Sequence, residues 1–141
     1  MRDCLTVQDA FNLNEMRDAI GRFNAKQGWR DKSDKITAIL ENVDPSLVPV
    51  FQNYLAGTMI ALLHSELSEA LEGLRKNLMD DHLTDRKMVE AEMADVFIRL
   101  LDFCDTFNID IGGVVKEKDL YNHSREDHKK ENREKEGGKK F

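Results

Sequence analysis

The amino-acid sequence predicts an all-α fold, and three observations lead to that prediction. Only two of the 141 residues are proline and eight are glycine, fewer turn-forming residues than a strand-rich sandwich needs. Apolar residues recur every three or four positions over long stretches, as they do on one face of an α-helix. The chain is 40% hydrophobic and 34% charged, which is typical of a single soluble domain with its own core.

The first third of the chain is predicted to hold two helices. Periodicity indicates a helix over about residues 7–23, ending near Gly28. A polar connection over residues 31–34 follows, and a short helical segment over about residues 36–41 comes after it. We expect both segments to be helical and the polar stretch between them to be a loop.

Two long helices are predicted for the middle of the chain. Asp44 and Pro45 are typical of a helix start, with the aspartate as N-cap and the proline at the first helical position. The helix that begins there is expected to run to about Asn77. After a polar break at residues 80–82, a second long helix is predicted over about residues 84–108.

The C-terminal part of the chain is predicted to hold one more helix and a tail. Asp110 is placed to cap a helix that runs to about Arg125. Residues 128–141 are dense in Lys, Glu and Arg with almost nothing apolar to bury, so we expect a flexible charged tail there. The predicted organisation is one domain over residues 1–127 followed by this tail.

The charge distribution limits the possible partners. Residues 116–141 hold nine basic and seven acidic side chains, whereas residues 1–115 hold 12 and 20, so an acidic body precedes a slightly basic end. This balance argues against an extended nucleic-acid surface, which needs many Lys and Arg contacts. No apolar run approaches the roughly 20 residues that span a bilayer, and no secretory signal is evident. With two widely separated cysteines, we expect a cytoplasmic protein with reduced thiols and no membrane contact.

Acidic residues on the two long helices are the first indication of function. Glu66 and Glu69 lie beside the apolar stripe of the first helix, at about 100° per residue. The second helix is apolar over most of its circumference, a pattern typical of a buried helix. Four charged residues nevertheless fall within a quarter of that circumference: Glu92, Asp95, Arg99 and Asp102. A buried carboxylate is costly unless a cation balances it or a proton neutralises it.

The two acid pairs together predict a metal site. The short connection favours an antiparallel hairpin, in which Glu66 and Glu69 would face Glu92 and Asp95 as a four-carboxylate cage. An all-oxygen site points to Mg²⁺, with Mn²⁺ as a substitute, and di-iron bundles need Glu-x-x-His pairs that no histidine here supplies. The alternative is that these acids are surface residues three apart, since helical E-x-x-E is common. The alternative role for Arg99 and Asp102 is an internal ion pair one turn below the cage, which would orient the metal ligands.

Three segments resemble the MazG-like all-α nucleoside triphosphate pyrophosphohydrolases. The run HSELSEALE from His64 to Glu72, followed by EMADV from Glu92, is similar to that family's ExxE…ExxD pattern. The run KDLYNHSR from Lys118 to Arg125 is similar to its downstream K-x-x-x-N-x-x-R segment. The resemblance covers about residues 54–125.

The resemblance implies a catalytic metal site and a reaction. It implies hydrolysis of a (deoxy)nucleoside triphosphate to the monophosphate and pyrophosphate, with Mg²⁺ held by the four acids named above. It also implies an antiparallel bundle in which the motif hairpin is completed by a homodimer or homotetramer. Ser65 stands where many relatives have a further glutamate, so no general base is assigned. The implied activity has two rivals: a phosphoribosyl-ATP pyrophosphatase-like reaction, and a catalytically idle module that binds a nucleotide or a protein.

The remaining expectations concern the substrate. The resemblance places Lys118, Asn122 and Arg125 as phosphate contacts, although they are equally typical of the solvated face of a terminal helix. The run from Phe23 to Trp29 resembles the stretch before the first motif helix of that family, where an aromatic residue lies near the base. The resemblance implies that Trp29 would stack on the base and that Asn24 or Gln27 would bond its edge. The alternative for the lone tryptophan is that it covers the core.

Overall fold

The computed structural model describes residues 4–138 and confirms the all-α prediction. The described residues form six α-helices. They are α1 Val7–Lys26, α2 Asp31–Val43, α3 Val48–Lys76, α4 Met88–Thr106, α5 Ile111–Ser124 and α6 Lys130–Arg133, with 3₁₀ turns at Pro45–Leu47 and Glu126–His128. Within this part of the chain, β-structure is limited to an isolated bridge between Met79 and Lys87.

The chain divides into two compact units. The central unit is Arg17–Ile109, and the terminal unit combines the residues up to Met16 with those from Asp110 onward. The single domain over residues 1–127 and the flexible tail over residues 128–141 stay predictions. Part of that tail, residues 139–141, lies outside the described residues, and the rest includes α6.

The helix α2 begins earlier than the sequence pattern indicated. We expected a loop over residues 31–34, but the helix starts at Asp31. Asp31 and Asp34 both lie in its first turn, where carboxylates are stabilised by the positive end of the helix dipole. The polar residues therefore belong to the helix start.

The helix α3 follows the prediction closely. Asp44 accepts a hydrogen bond from the backbone N–H of Ser46 at 3.1 Å, and the 3₁₀ turn beginning at Pro45 leads into the helix. The helix ends at Lys76, where Asn77 takes a left-handed conformation with φ 52°. The predicted end is confirmed, whereas Asp44 caps the 3₁₀ turn and α3 itself begins at Val48, with Leu47 at its N-cap position.

The helix α4 begins at Met88, four residues later than expected. The preceding residues are held in a turn because the Asp80 carboxylate accepts hydrogen bonds from the backbone N–H groups of His82 and Leu83. Glu90 then accepts a bond from the Lys87 N–H at 2.8 Å and caps the helix. Local side-chain bonds therefore keep this segment out of the helix.

The helices α3 and α4 form the core of the central unit and run in opposite directions. Glu66 pairs with Arg99, and seven residues further along α3, Gly73 packs against Met88 at the start of α4. A Cβ at Gly73 would lie 2.8 Å from the Cβ of Met88, so glycine permits the close approach of the two helices. The buried hydrophobic side chains among the described residues are few, namely Ala70, Leu101 and Cys104, of which Leu101 is fully buried.

Much apolar surface on α3 is exposed. Ile60, Leu67, Leu71 and Leu74 are 46%, 38%, 56% and 64% exposed. Within residues 4–138, one stretch, Pro45–Lys76, has the length and composition of a helix that could span a membrane, a property shared with core helices of soluble proteins. The expectation that the chain makes no membrane contact stays a prediction.

The terminal unit is held together by contacts between α1 and α5. Asn14 donates through Nδ2 to Asp110 Oδ1 at 2.7 Å and accepts through Oδ1 from the Gly112 N–H at 3.0 Å. The Asp110 carboxylate also accepts from the Gly113 N–H, which confirms it as the predicted cap of α5. A Cβ at Gly112 would lie 2.0 Å from the carbonyl oxygen of Ala10, so a side chain would collide with the α1 backbone.

Gly112→Ala is expected to destabilise the protein by about 1–3 kcal/mol, because the backbone of α1 has to shift. Gly57→Ala is the matched control, since Gly57 lies inside α3 with no neighbouring atom within 4 Å of an added Cβ. It should stabilise the protein by roughly 0.5–1 kcal/mol through helix propensity. Thermal unfolding of both variants checks the pair, and equal melting temperatures would contradict the close contact at Gly112.

Candidate metal centre

Three of the four predicted carboxylates meet between α3 and α4. Glu66 and Glu69 lie one turn apart on α3, and Glu92 lies on α4 opposite them. One carboxylate oxygen from each of the three lies within 4.8 Å of the other two. Glu66 is 6% exposed and Glu92 is 9% exposed, whereas Glu69 is exposed. The antiparallel helices thus build the acidic centre predicted from the i, i+3 spacing, with two acids inside and one at the edge.

Asp95 stands apart from this group of three. It is an exposed residue one turn beyond Glu92 on α4. Its charge still acts on the centre, because it is one of the groups that raise the pKa of Glu92. The predicted role of Asp95 as a fourth ligand stays a prediction.

Glu92 has a strongly perturbed carboxyl group. Its pKa is raised from 4.5 to about 7, and burial is the largest of the causes. A hydrogen bond with the Glu66 carboxyl group and the charges of Glu66, Glu69 and Asp95 act in the same direction. A proton on Glu92 therefore relieves part of the repulsion among these acids, a task that a bound cation would also perform.

Arg99 is the cation that the structure places at this centre. Its Nε lies 2.5 Å from Oε1 of Glu66, and its side chain is 42% exposed. We expected a pair between Arg99 and Asp102, and this is wrong. Helix spacing puts the two residues on one face, but Arg99 instead reaches Glu66 on α3, and Arg30, just before α2, reaches Asp102. Arg99 holds Glu66 directly, so it is placed to orient a predicted metal ligand.

Asp102 belongs to a separate ion-pair cluster. Its Oδ1 lies 2.6 Å from Nη2 of Arg30, and Asp105 Oδ2 lies 2.7 Å from Nη1 of the same guanidinium. Burial opposes the charge on Arg30, but the bonds to Asp102 and Asp105 outweigh that effect and raise the pKa of the guanidinium. The sequence reasoning missed Arg30 and Asp105, although Asp102 and Asp105 are a third acid pair with i, i+3 spacing.

The two acidic clusters differ in how their charge is balanced. In the Arg30 cluster, one guanidinium bonds both carboxylates. At the acidic centre, Arg99 bonds Glu66, and the remaining acidic groups are Glu69, Glu92 and nearby Asp95. Carboxylate oxygens are the donors that Mg²⁺ and Mn²⁺ prefer, so the donor set at the acidic centre fits such a cation.

The residues predicted to bind the base lie at the end of α1. Trp29 is 77% exposed, so it does not cover the core of this chain. Its backbone N–H donates to the carbonyl oxygen of Asn24 at 3.2 Å, and Gln27 is exposed beside it. The exposure leaves the indole ring accessible, and the base-binding role of all three residues stays a prediction.

The residues predicted to bind phosphate lie in the terminal unit. The Lys118 ammonium lies 4.7 Å from the centre of the Tyr121 ring. Arg125 forms two hydrogen bonds to the Asp127 carboxylate, at 2.8 and 2.5 Å. With Asn122, Arg125 lines a cavity of about 340 Å³. The phosphate-binding role of Lys118, Asn122 and Arg125 stays a prediction.

Comparison with known proteins assigns no family to the chain. No protein-family model, no curated protein and no solved structure matches it. The function is therefore inferred from the geometry of the acidic centre together with the ExxE…ExxD resemblance.

Proposed function

We propose that this protein is a Mg²⁺-dependent pyrophosphohydrolase of nucleoside triphosphates, with Glu66, Glu69, Glu92 and Asp95 as its metal-binding residues. One observation carries the proposal: carboxylate oxygens of three of these acids lie within 4.8 Å of one another, and two of the acids are buried. Such an arrangement is unfavourable without a cation or a proton. The ExxE…ExxD resemblance supplies the reaction.

The reaction is attack of water on the α-phosphorus, with the α–β phosphoanhydride bond breaking to release pyrophosphate and leave the monophosphate. Bound Mg²⁺ would neutralise phosphate oxygens and make a water molecule more acidic. The chain itself positions the carboxylates that would bind the metal. Glu66 is fixed by burial and by Arg99, and Glu69 lies at the exposed edge where substrate has access.

Ser65 does not replace the glutamate that many members of the resembled family have. Its hydroxyl donates to the Leu62 carbonyl oxygen at 2.6 Å, within its own helix. A serine bonded in this way adds no negative charge to the acidic centre. We therefore assign no general base, and the proposed site depends on the four acids alone.

The direct test is an assay of the purified full-length protein with each ribo- and deoxyribonucleoside triphosphate and Mg²⁺. Pyrophosphate and nucleoside monophosphate should appear in equal amounts from at least one substrate, and EDTA should stop their release. Phosphoribosyl-ATP belongs in the same panel, because its cleavage in preference to all simple triphosphates would favour the rival reaction. If nucleotides bind without being cleaved, the protein is a binding module and the proposed activity is wrong.

We also propose that the protein is a homo-oligomer that pairs through the exposed stripe of α3. Ile60, Leu67 and Leu74 are seven residues apart, and Leu71 lies between the last two on the same side. By helix geometry this stripe lies about a quarter turn from Ala70 and Gly73, which are buried. A stripe of large apolar residues with this spacing is typical of a helix that packs on a second helix. A second copy of the chain supplies such a helix.

Leu71→Asp is expected to shift the protein from dimer or tetramer to monomer, since a charge in the contact would be desolvated. Light scattering during size-exclusion chromatography measures the mass. Glu72→Gln is the neighbouring control and should leave the mass unchanged, because Glu72 pairs with Lys76 on the helix surface. A monomeric wild type would contradict the oligomer, and a wild type that requires detergent or lipid vesicles to stay in solution would indicate a membrane partner instead.

A further inference from the structure

We propose a second metal site, for Zn²⁺ or a similar borderline-soft divalent cation, formed by Cys4, Asp119 and His123 of the terminal unit. One ligand atom from each of the three residues lies within 4.8 Å of the other two. The site shares no residue with the acidic centre, and its donors are of a different kind. It therefore does not depend on the proposed pyrophosphohydrolase activity.

The local structure explains why these three side chains meet. Asp119 and His123 are four residues apart on α5, so they lie on one face of that helix. Cys4 is 115 positions away from Asp119 in sequence, and its neighbour Leu5 donates its backbone N–H to Asp119 Oδ2 at 2.7 Å. This bond places the segment that carries the thiol beside α5.

The imidazole ring is held in position next to the carboxylate. Nδ1 of His123 lies 2.9 Å from the backbone oxygen of Asp119 and 3.5 Å from its Oδ1. In a metal-binding histidine, one ring nitrogen usually makes such a contact and fixes the orientation of the ring, while the other nitrogen binds the metal. The pair is therefore arranged before any cation binds.

The donor set selects the cation. A thiolate, an imidazole and a carboxylate are all ligands of Zn²⁺, whereas Mg²⁺ prefers oxygen donors alone. Three protein ligands would leave a fourth position for water or another group in tetrahedral geometry. Cys4 would lose its proton on binding, because the thiolate is the ligand.

The surroundings do not oppose a cation. Asp119 and His123 line the cavity of about 340 Å³ together with Asn122, His128 and two cationic residues, Arg125 and Lys129. Both are paired with acids of their own, Arg125 with Asp127 and Lys129 with Glu126. Their charges are therefore largely balanced within the terminal unit.

The two cysteines have different environments. Cys104 is 2% exposed, and burial raises the pKa of its thiol. Cys4 is half-buried and lies beside an imidazole and a carboxylate. The structure thus distinguishes one thiol available for coordination from one that packs in the core.

Cobalt(II) provides the test, because its bond to a thiolate produces a near-ultraviolet charge-transfer absorption that oxygen and nitrogen ligands do not give. The full-length protein, freed of metal and kept reduced with a phosphine, should show this band with one equivalent of Co²⁺, and Zn²⁺ should abolish it. Cys4→Ser should lose the band, and His123→Ala should weaken Co²⁺ binding about 10–100-fold or more. Glu69→Gln should keep the band, since Glu69 belongs to the acidic centre.

Two results would overturn the second metal site. One is the absence of the band in the wild type, even if Co²⁺ binds through oxygen and nitrogen ligands elsewhere. The other is a band that persists in Cys4→Ser, because its thiolate would then have to be Cys104. Circular dichroism of each variant checks that the helices are retained, and Zn²⁺ should raise the melting temperature of the wild type more than that of Cys4→Ser.

Discussion

Glu69→Gln is expected to lower the rate of pyrophosphate release by at least about 100-fold at saturating substrate and Mg²⁺. Glutamine has nearly the same shape as glutamate but lacks the negative charge that binds a cation. Glu69 is exposed at the edge of the acidic centre, so the substitution should leave the fold intact. Steady-state measurement of pyrophosphate and monophosphate, with circular dichroism of the same preparation, checks both parts of the prediction.

Glu72→Gln is the matched control for this loss of activity. Glu72 lies one turn further along the same helix, and it forms a surface ion pair with Lys76. Exposed pairs of this kind contribute only about 0–1 kcal/mol to folding stability, so the variant should stay folded. Because Glu72 does not belong to the acidic centre, the rate should stay within about twofold of wild type. If Glu69→Gln is fully active, or if both variants lose the same fraction of the rate, the acidic centre does not take part in the reaction as proposed.

The acidic centre was predictable from the sequence because helix periodicity is regular. At 100° per residue, Glu66 and Glu69 share a side of one helix, and Glu92 falls among charged residues on an otherwise apolar helix. The short connection between the two helices favours an antiparallel hairpin, which is the arrangement of α3 and α4. Only Asp95 departs from the expected cage, since the acids whose oxygens meet are Glu66, Glu69 and Glu92.

The partners of the long side chains were not predictable in the same way. Helix spacing places Arg99 near Asp102. In the packed structure, however, Arg99 forms an ion pair with Glu66, and Asp102 forms one with Arg30. Arg30 is 72 positions from Asp102 in sequence, and no local pattern connects them. A guanidinium at the end of a flexible side chain has several acids within reach, so its partner depends on how the helices pack.

The start of α4 was misplaced for a related reason. Residues 84–87 are polar and permit a helix, but the Asp80 carboxylate closes a turn through two backbone N–H groups and Glu90 caps the helix at Lys87. Such side-chain to backbone bonds compete with helix formation within a few residues. The helix pattern alone therefore identified the element but not its first residue.

Glu92→Gln is expected to stabilise the metal-free protein by about 1–3 kcal/mol above pH 7, measured by chemical unfolding in EDTA. The pKa of Glu92 is about 7 in the folded chain against 4.5 ordinarily, so the folded state holds this proton more tightly than the unfolded state. As pH rises from about 4.5 through 7, that advantage is lost and the wild-type protein becomes less stable. Glutamine does not ionise, so the variant escapes this loss.

The pH and metal dependence of this effect separate it from a general gain in stability. Near pH 4.5 the wild-type carboxyl group is protonated, and the two proteins should differ little. At pH 8, adding Mg²⁺ should stabilise the wild type by mass action and leave Glu92→Gln nearly unchanged, because the variant has lost a ligand. A variant that is less stable than wild type in EDTA at pH 8 would show that repulsion among these carboxylates is relieved without a metal, and the case for a cation between α3 and α4 would fail.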